Sequence, residues 1–186
     1  MITPSRRHHI EEWVSKINDF SEKYQLSHAI AAIEKLYKEK VYTDCQSRFA
    51  AVREKTKETA YDDDDAIKAL NQEAEQIKKD SLKRIRIIIE YSKSLDSNSS
   101  RVIRSQDDVF CVSLPKCMEN IRTSTGEIDN ALLTSCRKLV AHELGHIVLH
   151  EGLFDDPQIV VEEEADCFAD CLLALRKKQH DEILLH

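Results

Sequence analysis

Lys138-Leu139-Val140-Ala141-His142-Glu143-Leu144-Gly145-His146-Ile147-Val148-Leu149-His150 carries the pattern H-E-x-x-H from His142 to His146. The apolar neighbours Leu139, Val140, Leu144, Ile147 and Val148 recur at helical spacing, so the stretch reads as a largely buried helix. Residues four apart on a helix share a face, and His142 and His146 therefore aim at one spot. Two imidazoles so placed can hold one zinc ion, each nitrogen at about 2.0–2.1 Å from it. Glu143 lies beside them, where it can take the proton of an attacking water. A helix can also carry two histidines by chance. Burial weighs against chance, because buried imidazoles and a buried carboxylate are costly unless something satisfies them. Gly145 sits inside this helix at a cost of about 1 kcal/mol relative to alanine, which implies that a backbone or a ligand comes close there.

A third ligand is available downstream. In Val160-Val161-Glu162-Glu163-Glu164-Ala165-Asp166-Cys167-Phe168-Ala169, the set Ala165, Phe168, Ala169, Leu172 and Leu173 falls at helical spacing. Glu162 and Asp166 are four apart and share a face. That suits Glu162 as the ligand and Asp166 as acceptor of the remaining N–H of a ligand histidine. Glu163 or Glu164 could ligate instead, since three consecutive glutamates point in three directions. An acidic first turn also complements the helix dipole, and different glutamates can serve each purpose.

Composition bounds the rest. The chain has 186 residues, 41% hydrophobic and 33% charged, which suits a globular protein of one ordinary domain or one with a helical extension. Only 3 glycines and 3 prolines favour helices over a turn-rich β-fold. All of the glycines lie after residue 100, so the expectation is a helical first half and a second half with turns. A net charge of −7 argues against a dominant nucleic-acid surface. The cluster Lys78, Lys79, Lys83, Arg84 and Arg86 reads as a solvated face balanced by nearby carboxylates. No secretory signal and no run of membrane-spanning length is evident. The 6 cysteines lack Cys-x-x-Cys spacing, and reduced thiols in a cytoplasmic protein are expected. Cys167 and Cys171, four apart, could bind a soft metal, but packing suits them better.

Taken in order, Ser5 caps a first helix with Ile10, Trp13, Val14, Ile17, Phe20 and Tyr24 on its apolar stripe. A second carries Ile30, Ile33, Leu36, Tyr37 and Val41. Thr43-Asp44 is a cap for a third, through Phe49 and Val52 towards Thr59. Asp62-Asp63-Asp64-Asp65 opens a long helix through Ile67, Leu70, Ala74, Ile77, Leu82, Ile85, Ile88, Ile89 and Tyr91, close to Leu95. Asp96-Ser97-Asn98-Ser99-Ser100 is the clear polar loop, dividing a helical region (1–95) from a catalytic core (101–186) on which it packs. Val102-Ile103-Arg104 and Val109 to Leu114, ended by Pro115, read as strands. Asp129 caps the histidine helix, Gly152 ends it, and Phe154-Asp155-Asp156-Pro157 connects it to the Glu162 helix.

His142-Glu143-Leu144-Gly145-His146-x-x-Leu149-His150, followed by Glu162-x-x-Ala165-Asp166-x-Phe168-Ala169 and Leu172-Leu173, resembles the ImmA/IrrE family of metallopeptidases. The resemblance covers roughly residues 101 to 175 and leaves the first hundred residues unexplained. It implies an α+β fold, mostly helical, with a small mixed sheet packed on two metal-bearing helices in zincin-like fashion. It implies His142, His146 and Glu162 as zinc ligands, Glu143 as the base, and a protein substrate such as a helix-turn-helix repressor encoded nearby. No direct contact with nucleic acid or membrane is expected.

Three functions follow as expectations. The first is a zinc-dependent endopeptidase in which Glu143 moves the proton, His150 is a weak candidate for stabilising the oxyanion, and the Val109–Leu114 strand offers an edge to an extended substrate. The second is a metal-stabilised regulator that binds a partner without cutting it. The third is a structural helical protein without metal. The ligand types also admit iron or manganese.

Overall fold

The computed structural model describes residues 2–19, 26–59, 64–105, 108–123, 125–150 and 162–184. Ile10, Val14 and Ile17, one helical face of the first stripe, are fully buried on α1 (Pro4–Asp19). Phe20 and Tyr24 lie outside the described residues. The next helix, α2 (Leu26–Glu58), is one continuous element of 33 residues, about 50 Å long. The expected break at Thr43-Asp44 is absent. Thr43 Oγ1 donates back to the Glu39 carbonyl at 3.0 Å, so its hydroxyl satisfies the helix interior and caps nothing.

The helix α3 (Asp64–Ser81) has Asp64 and Asp65 in its first turn, while Asp62 and Asp63 lie outside the described residues. It does not run on to Leu95. After a short turn, Arg86–Ser92 forms strand β1. The physical reason is local and tertiary together. Ile87-Ile88-Ile89 is β-branched and stiff at χ1, which disfavours a helix, and a strand partner stands ready further along the chain.

That partner is β3 (Val109–Pro115), which pairs with β1 in parallel and with β2 (Arg101–Arg104) antiparallel. The result is a small mixed sheet in the order β1-β3-β2. The two expected strands are present, but Val109–Leu114 is the central one and presents no free edge. The polar loop at Asp96–Ser100 joins β1 to β2, so the sheet takes β1 from before it and β2 and β3 from after it. Beyond β3 come a 3-10 turn at Lys116–Glu119 and an isolated bridge between Arg122 and Ile128. Then follow α4 (Asn130–His150) and α5 (Glu162–Leu184). Among the described residues there are five helices and this one sheet, a mostly helical α+β chain. No described helix is long and apolar enough to cross a membrane.

The register puts Ile87, Phe110, Val112, Leu114 and Val102 on one sheet face. That face joins α4 (Val140, Leu144, Ile147, Val148), α5 (Phe168, Ala169, Leu172), α1 and the first turns of α2 in one apolar cluster. Both ends of the sequence therefore contribute to the same core. A second, smaller cluster (Cys45, Val52 and Ile77, with Phe49 and Leu70 against them) holds α3 to the far half of α2. The two edges of the sheet differ. On the β1 side, Glu34 of α2 reaches over and its Oε1 accepts the Ile87 N–H at 2.7 Å. On the β2 side, the strand borders a cleft.

Candidate metal centre

α4 begins where its sequence says it should. Asp129 Oδ1 accepts from the amides of Ala131 and Leu132, each at 3.0 Å, an N-cap that satisfies two otherwise orphan donors. From that start, His142 and His146 fall on the same face and Leu144 and Ile147 on the buried one. The chain between α4 and α5, including Gly152 and the Phe154–Pro157 loop, lies outside the described residues, as does the His150 side chain.

α5 lies against α4, and Gly145 is where they come closest. A β-carbon on Gly145 would stand 3.0 Å from the Cα of Ala165 and 3.2 Å from its carbonyl oxygen. The approach inferred from the glycine is thus made by the backbone of α5. It sets Glu162 opposite the histidine pair.

The imidazole Nε2 atoms of His142 and His146 are 3.0 Å apart. Glu162 presents Oε2 at 3.0 Å from His142 Nε2 and Oε1 at 3.6 Å from His146 Nε2. Donors around a tetrahedral zinc at about 2.0–2.1 Å stand roughly 3.3–3.4 Å from each other, and the three gaps bracket that spacing. The donor set, two imidazoles and one carboxylate, also suits zinc. Asp166 Oδ1 lies 3.0 Å from His142 Nδ1. An ionised carboxylate only accepts, so Nδ1 is the donor to Asp166, and this contact orients the ring with Nε2 towards Glu162 and His146. Glu143 is only 3% exposed beside them.

These residues line one end of a cleft of about 830 Å³. The other walls are Asn98, Ser99 and Ser100 of the β1–β2 loop, Arg101 and Val102 of β2, and Ser135, Lys138 and Leu139 of α4. The three adjacent glutamates diverge as helix geometry requires. Glu162 meets the histidines, Glu163 is exposed, and Glu164 pairs with Arg6 of α1 at 2.9 Å. Cys167 and Cys171 pack against the main core, and the Cys171 thiol is pushed up to about 11, first by burial and then by Cys167.

Two parts of this neighbourhood had no signal in the sequence. Arg6 lies 158 residues from its partner. The Asn98–Ser100 segment is legible as a loop, but its place on the cleft follows only from the order of the strands. Compared with known protein families, curated proteins and solved structures, the chain matches none.

Proposed function

We propose that this chain is a zinc-dependent endopeptidase of the ImmA/IrrE kind, with zincin-like packing of sheet and helices, acting in the cytoplasm on a specific protein such as a helix-turn-helix repressor. The observation that carries the reading is the convergence of His142, His146 and Glu162 on one point, with buried Glu143 beside it, at the end of an open cleft. Zinc held there would lower the pKa of a bound water to about 7 and polarise a peptide carbonyl.

The chain's own residues divide the remaining work. Asp166 fixes the tautomer and the ring plane of His142. Glu143 accepts the proton of the attacking water and returns it to the leaving amine. β2 is the edge strand bordering the cleft, and its main chain orients an extended substrate by strand addition. That role passes to β2 from β3, whose two edges are both occupied. His150 is given no part in this mechanism.

New protein N-termini are compared in cells expressing the wild type and a Glu143→Gln variant. The substitution spares the three ligands and removes the base, and a loss of cleavage of about 10²–10⁴-fold is expected. A terminus seen only with the wild type identifies substrate and bond together. Identical sets of termini, with zinc present in both proteins, would sink the peptidase reading and favour a regulator that binds without cutting.

A further inference from the structure

Glu162 is the first residue of α5, and its side chain is 78% exposed. First turns of helices fray, and a ligand placed there is only as well fixed as the turn that carries it. Two residues on, Glu164 points the other way, into the seam with α1. Its Oε2 accepts from Arg6 Nε at 2.9 Å, and the two side chains are only 14% and 23% exposed. An ion pair sheltered to this degree is screened less than one on open surface. α1 also lies along α5 more extensively than along any other element, with Ile10, Val14 and Phe168 in one cluster. The same first turn holds Glu162, Glu163 and Glu164, with Asp166 two residues further on, so a guanidinium there also offsets mutual repulsion among the carboxylates.

We infer that Arg6 is a positioning residue of the metal centre: through Glu164 it holds the first turn of α5 in place, and with it Glu162, so that α1 is part of the metal-binding unit. The inference rests on the metal reading of His142, His146 and Glu162, and gives a role to a helix that carries no chemistry of its own.

Zinc affinity of the full-length protein is measured by competition with a chromophoric chelator, alongside thermal melts of the zinc-free forms. Arg6→Gln and Glu164→Gln each weaken zinc binding about 10-fold or more, the scale seen when an outer partner of a ligand is lost. Arg6→Lys retains most of the affinity, and so does the swapped pair Arg6→Glu with Glu164→Arg. Arg7→Gln, which removes the same charge from the exposed Arg7–Glu11 pair one residue on, leaves affinity unchanged. Affinity within twofold of wild type in both Arg6→Gln and Glu164→Gln overturns the inference alone. So does an equal loss in Arg7→Gln, which would show a general effect of charge. A wild type that binds zinc no more tightly than His142→Ala with His146→Ala removes the metal reading itself, and this inference with it.

Discussion

Gly145, one position before His146, has the backbone of Ala165 where a side chain would go. Two effects oppose each other in Gly145→Ala. Alanine gains about 1 kcal/mol of helix propensity, and overpacking costs about 1–3 kcal/mol. The nearest atoms are backbone and yield poorly, so overpacking wins. A net loss of about 1 kcal/mol is expected by urea denaturation, with Gly145→Val worse; a more stable Gly145→Ala protein would show that α5 shifts freely. At this scale the sequence was most legible where spacing is local. The His142–His146 pair follows from helix geometry alone, and so does the sharing of a face by Glu162 and Asp166. Which of three glutamates meets the histidines was not legible to the same degree. That choice depends on the direction from which α4 approaches and on an arginine at the far end of the chain.

Elements were legible where pattern and chemistry agreed. The Asp129 cap, the two strands around Ile103 and Val112 and the start of α3 all combine a boundary residue with a periodic run. They misled where one pattern admits two structures. Leu82, Ile85, Ile88 and Ile89 satisfy helical spacing, yet Ile87-Ile88-Ile89 belongs to a strand whose partner arrives only with β3. Thr43-Asp44 looks like a cap, but α2 runs through it because α3 packs along its far half. The junction of α2 and α3 carries its own acid sensitivity. Asp80 accepts from Arg48 at 2.7 Å, and from Lys83 and Gln76 at 3.1 Å each. Its carboxyl is lowered to about 2, first by Arg48. A carboxylate with a depressed folded pKa stabilises above its unfolded value near 3.8 and loses that contribution as pH falls through about 2. The stability difference between wild type and Arg48→Ala should therefore be constant above about pH 5 and shrink between pH 4 and 2. Denaturant midpoints across that range test it, and a difference unchanged at pH 2 would remove Asp80 as its source.

For the molecule as a whole, His142, His146 and Glu162 come from two helices separated by a chain segment, and both helices share a core with α1, α2 and the sheet. Zinc bound there by the folded form alone would then stabilise everything at once. Zinc at a hundred times its dissociation constant adds about 2.7 kcal/mol, worth roughly 5–10 °C in melting temperature for a chain of this size. Calorimetry with zinc and with a chelator measures this, and superimposable melts would leave the three residues without a metal. The division at Asp96–Ser100 was read from composition as a change of character. Composition does report a loop there, but it has no access to strand order, and the sheet takes strands from both sides of it.

The unequal edges of that sheet bear on self-association. Continuous β-growth from chain to chain needs two open edges, one to accept and one to offer. Here α2 stands beside the β1 edge, where Glu34 has already taken the Ile87 amide, and among the described residues no strand pairs with the outer side of β2. Two copies joined through β2 about a two-fold axis would leave only the β1 edges, each with α2 beside it, so growth through β2 would stop at a pair. Such a pair also occupies the strand that borders the cleft. A peptide segment that added to β2 would therefore compete with such pairing for one short strand of four residues.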